Sequence, residues 1–157
     1  MNIGALDDGD IARLATITGA VLLAAADDNT PAVEHYVNEA IESFGLAGLY
    51  GLCCGLAAAH RALTVTDDES VVGAALVVVG GDVDELPAEA RPALFAARFL
   101  TAFLNNDLAM CRALFNAPME ARDFNGVHRN VSALINITGD AARDREEANR
   151  RANGGPP

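Results

Sequence analysis

Residues 43–60 read SFGLAGLYGLCCGLAAAH, a run without a formal charge. Within it Ala47, Gly51, Gly55 and Ala59 recur every four residues, and Gly51 to Gly55 is a literal G-x-x-x-G. Four-residue spacing aligns these positions along one side of a helix, with almost no side chain above them, so another backbone can approach closely. Glycine inside a helix costs about 1 kcal/mol relative to alanine. Gly48, Gly51 and Gly55 therefore call for compensating close contact. Ala47, Gly51, Gly55 and Ala59 are read as a helix-packing or interface stripe. It either packs inside the monomer, against the first helix or the one expected near 71–79, or forms the seam of a homodimer.

The length of this run touches the lower edge of a membrane span. Phe44, Leu46, Leu49, Leu52 and Leu56 would each contribute only about −0.3 to −0.6 kcal/mol to insertion. Four glycines, Ser43, Tyr50 and His60 dilute them, and Glu42 and Arg61 close in on both sides. The expectation is a buried helix of a soluble protein, with no membrane partner.

Moving toward the N-terminus, Gly45 ends a preceding helix whose apolar positions are Val33, Tyr36, Val37, Ala40, Ile41 and Phe44. Thr30 reads as its N-cap and Pro31 as its first helical residue. Before that, Ile11, Leu14, Ile17, Thr18, Val21, Leu22 and Ala25 line one face of a first helix. The acidic cluster at Asp7–Asp10 caps it, and Asp27-Asp28-Asn29 stops it.

Toward the C-terminus, Ser70–Val79 (SVVGAALVVV) has the β-branched content of a strand. It is nevertheless read as helix, because Thr66–Glu69 has capping-box form and Gly80-Gly81 makes a stop. Asp82–Leu86 is the main linker. A helix from Pro87 or Pro92 to Leu104 follows, then one from Asp107 to Asn116, with a break expected at Ala117-Pro118. The last helix carries Phe124, Val127, Val131, Leu134 and Thr138 on one stripe. Asp140–Arg151 reads as a projecting or fraying turn and residues 152–157 as a disordered tail. A shift of 77 residues superposes Thr30 on Asp107, both read as N-caps, and hints at two related three-helix units.

Length and composition agree with this layout. The chain has 157 residues, 51% of them hydrophobic and 21% charged, which suits one globular domain and excludes a disordered or collagenous chain. Three cysteines argue against a disulfide-stapled miniprotein. All 11 basic residues are Arg, and the absence of Lys and Gln has the bias of a high-GC genome, bacterial or phage. The net charge of −11 opposes direct nucleic-acid binding. Residues 1–78 hold two Arg against 11 acids and residues 79–157 nine Arg against 11, so the negative charge is concentrated in the first half. The acidic first residues lack the positive region of a secretory signal, and the expected location is cytoplasmic.

No residue group reaches the standard of a catalytic, cofactor or metal site. Cys53 and His60 share a helix face but lie two turns apart, about 10 Å, too far for a thiolate–imidazole pair. His35, Glu39 and Glu42 share a face, but the order reverses that of di-iron helices, and Glu120 and His128 offer no matching half. Asp27-Asp28 and Asp67-Asp68 are explained by capping. His128, Arg129 and Arg122 form at most a surface anion patch.

The sequence thus predicts a single all-α domain over residues 1–151, a bundle of six to seven helices with pseudo-halves 8–79 and 87–140. Its expected role is non-enzymatic protein–protein interaction, with another protein or with itself as a homodimer, and no cofactor. One alternative is a small acidic inhibitor, of the kind phages encode, that occupies a basic nucleic-acid-binding cleft. The other is a cysteine-dependent enzyme.

Overall fold

A computed structural model describes residues 6–64, 87 and 89–154. Among them the chain is all-helical: α1 (Asp8–Ala26), α2 (Thr30–Thr64), α3 (Arg91–Leu104), α4 (Leu108–Glu120) and α5 (Phe124–Ala152). The expected helix at 70–79 and linker at 82–86 lie outside the described residues.

Among the described residues there are five helical elements where six to seven helices were expected in the whole chain: α2 spans two expected helices, which break at Gly45 as read from the sequence, and the expected helix at 70–79 is not among those residues. Gly45 has φ 60° and ψ −142°, a conformation that L side chains avoid. The chain reverses there. Arg13 pairs with Glu39 at 3.0 Å and lies over the Phe44 ring, as an antiparallel neighbour requires. Beyond Gly45, Gly51 lies against Leu14 and Gly55 against Thr18, so residues 46–64 run parallel to α1. Gly48 closes the reversal, since a Cβ there would meet the carbonyl oxygen of Ala40 and the Cβ of Phe44.

Three helix junctions share one design. Asp28, Asn106 and Arg122 take positive φ of 53°, 57° and 57°. In each junction the next residue's amide donates at 2.8 Å to a carbonyl in the last turn of the helix just ended: Asn29 to Ala24, Asp107 to Ala102 and Asp123 to Pro118. That residue's side chain then caps the new helix, accepting from the amide of Ala32, Met110 or Gly126. Asn29, not Thr30, is therefore the N-cap of α2, and Pro31 falls at the second helical position. The matching caps Asn29 and Asp107 are offset by 78 residues rather than 77.

The expected break at Ala117-Pro118 is also corrected: Pro118 lies inside the last turn of α4, and the chain turns at Arg122. Proline there forfeits one amide bond, to the carbonyl four residues earlier, and only two residues of α4 follow it. Asp140–Arg151 continues α5 to Ala152, supported by the pairs Arg150–Glu146 and Arg151–Glu147.

α5 packs against each of the other four helices. Its Val131, Leu134 and Ile135 join Val21, Leu52, Leu56 and Phe99 in one core. Tyr50 meets Phe99 and Phe115 edge-on, with ring centroids 6.4 and 5.4 Å apart, and so ties α2 to α3 and α4. By length and hydropathy alone, α1 and α2 are apolar enough to cross a membrane. The reversal at Gly45 divides the second of these.

Candidate functional site

Two amphipathic stripes face each other across a gap. On α2, Val33, Val37 and Ile41 point inward at four-residue spacing, and Glu34 and Asn38 follow one residue later on the rim. On α5, Val127, Val131 and Ile135 form the opposing wall, with His128, Ser132 and Asn136 on the rim. Leu46, Leu49 and Met119 contribute to the lining. The result is a half-open cavity of about 750 Å³, within the size range of ligand sites.

One end of the groove lies at the α1–α2 turn, where Arg143 of α5 donates to the carbonyl oxygens of Ala25 (2.8 Å) and Ala26 (3.3 Å) and to the Asp28 carboxylate (2.7 Å). Arg143 also pairs with Asp140. A guanidinium here adds a donor to the last carbonyls of α1, of which Ala25 also accepts the Asp28 amide at 3.2 Å, and complements the helix dipole. From that end the walls run antiparallel toward Ile41 and Phe124. Phe124, expected on the buried stripe, is 67% exposed at the far end. It directly follows the N-cap Asp123, before α5 enters the core.

The small-residue stripe faces α1. A Cβ on Gly51 would collide with Leu14 Cδ2, and one on Gly55 would stand 2.9 Å from both Thr18 Cγ2 and Oγ1. Ala47 and Ala59 are half-buried at the ends of the same row. The stripe packs helices within one chain and is not part of the groove.

The three cysteines are free, and two of them, Cys53 and Cys111, are buried. Cys53 is fully buried, and burial drives its thiol well above the ordinary range, with Cys54 adding to the effect. Burial also raises Cys54, whose thiol meets the Tyr50 hydroxyl rather than an imidazole. Cys111 is pushed up to about 11 by burial, helped by Cys54 and Asp107. His60 has its Nδ1 buried with no hydrogen-bond partner among the described residues, and burial lowers its pKa.

The other candidates are engaged structurally. Glu39 pairs with Arg13, and His35 meets Tyr36 edge-on. No group of three His, Cys, Asp or Glu among the described residues is placed to hold a metal. Arg129 pairs with Asp123 at 3.7 Å, Arg122 forms the α4–α5 turn, and His128 stands on the groove rim. Asp7, Asp8 and Asp10 sit at one end of α1 and Asp27 and Asp28 at the other, so these carboxylates do not share a ridge. The capping box between Asp7 and Asp10 accounts for two of them.

Both groove walls are legible as apolar stripes in the sequence, but the gap between them is not. Arg143 gave no local signal, since its acceptors lie more than a hundred residues away. Among the described residues these features define an all-helical bundle with an apolar cavity between α2 and α5. Comparison of the chain with family models, curated proteins and solved structures gives no match.

Proposed function

We propose that the chain is a cytoplasmic, non-enzymatic protein that works by binding another protein, receiving a helix of it in the groove between α2 and α5. The observation that carries this reading is the apolar cavity of about 750 Å³ between α2 and α5, lined by Val33, Val37 and Ile41 on one side and floored by the buried Val127, Val131 and Ile135 on the other. Helix-in-groove recognition needs such a surface, with regularly spaced apolar contacts and a polar rim. Ile41 is 41% exposed and Phe124 67%, and large apolar side chains left in water at the mouth of an apolar cleft favour a partner. The burial of Cys53 and Cys111, and the Tyr50 hydroxyl rather than an imidazole beside Cys54, support a binding role over cysteine catalysis. The dispersal of carboxylates to the ends of α1 weighs against a nucleic-acid mimic. Self-association falls to the same apolar rim, because the glycine stripe is occupied by α1.

Ile41→Asp tests the reading, since Ile41 is exposed enough to be changed without opening the core. Tagged wild-type protein should retain a partner from its native host that the variant loses, while both melt at similar temperatures. Equal recovery by the two, or none by either together with a strictly monomeric mass in light scattering, overturns it.

A further inference from the structure

We draw no further inference here: the strongest candidate, the outward face of α1 that leaves Ile11 54% and Leu23 70% exposed in one row with Ala15 and Gly19, is an unpartnered apolar helix face, and nothing among the described residues shows what covers it.

Discussion

Gly139 of α5 lies against Ala25 of α1 with no room for a side chain between them. A Cβ on Gly139 would stand 2.9 Å from the Ala25 Cβ, 3.1 Å from its carbonyl carbon and 3.2 Å from its oxygen. The obstacle is largely backbone, so it cannot swing aside. Two helices approach this closely only because one of them carries glycine at the contact. The same contact seats Arg143, one turn further along α5, over the last carbonyls of α1.

Gly139→Ala should therefore destabilise the protein. Helix propensity alone would favour alanine by about 1 kcal/mol. Overpacking against a fixed backbone costs about 1–3 kcal/mol and should prevail. A lower urea midpoint with an unchanged m-value is the expected result. A higher midpoint would show that α1 and α5 are not held at this distance.

The two glycines facing α1 should respond differently to alanine. At Gly51 the obstacle is the terminal methyl of Leu14, which can turn to another rotamer, so Gly51→Ala should be close to neutral. At Gly55 it is Thr18, β-branched and fixed by its hydroxyl's 2.8 Å bond to the Leu14 carbonyl. Gly55→Ala should lower stability by about 1–2 kcal/mol. Thermal melts of both variants check the order. If the stripe were instead a seam between copies, the variants would change the mass seen by light scattering rather than the ranking of Tm.

What the sequence made legible was local. The stop at Gly45 and the closeness of packing along Gly51 and Gly55 need only a glycine and a helical period. Errors arose where one rule met a context it could not see. Pro118 reads as a breaker, yet it sits where α4 is ending anyway. Thr30 reads as a cap, yet Asn29 takes the role because Asp28 before it adopts positive φ. Contacts such as Gly139–Ala25 and Arg143–Asp28 join residues more than a hundred positions apart, and no window of sequence contains both. The groove is of this kind too. Val37 and Val131 are each plainly inward-facing, but only the assembled bundle sets their stripes apart.

Arg143→Ala should cost more than loss of any other arginine ion pair on α5. It removes the donor to two carbonyls at the end of α1 as well as the pairs to Asp28 and Asp140. A fall of about 1–2 kcal/mol is expected, discounted because the side chain is partly in water. Arg150→Ala, which breaks a single exposed pair with Glu146, should stay within about 0.5 kcal/mol of wild type. Equal effects of the two in urea denaturation would remove the capping role.

Arg122 is a long side chain held at φ 57°, where Asn or Gly is at home. The bend serves the junction, since the adjoining Ala121 and Asp123 amides both return to α4 carbonyls. Arg122→Gly relieves the strain without touching those bonds, and it should raise stability by about 0.5–1 kcal/mol even after the entropy glycine adds to the unfolded chain. Arg122→Val should do the opposite. A destabilised glycine variant in chemical denaturation would mean that the arginine side chain contributes a contact worth more than the strain.

His60 gives the fold a pH dependence whose sign can be worked out. Its Nδ1 is buried with no partner among the described residues, and burial depresses its pKa below the ordinary 6.5. The unfolded chain takes up the proton near pH 6.5, whereas the folded chain resists until lower pH. Between those two values the unfolded state binds more protons, so stability is full above about pH 6.5 and declines as pH falls through it toward the depressed pKa. Wild-type protein should therefore lose more stability between pH 7.5 and 5.5 than His60→Leu, in which this imidazole is gone while His35, His128 and all carboxylates remain. Urea midpoints of the two proteins across that range provide the measurement. Parallel profiles would show that the imidazole reaches water or a partner in the folded chain, and its burial would then carry no energetic weight.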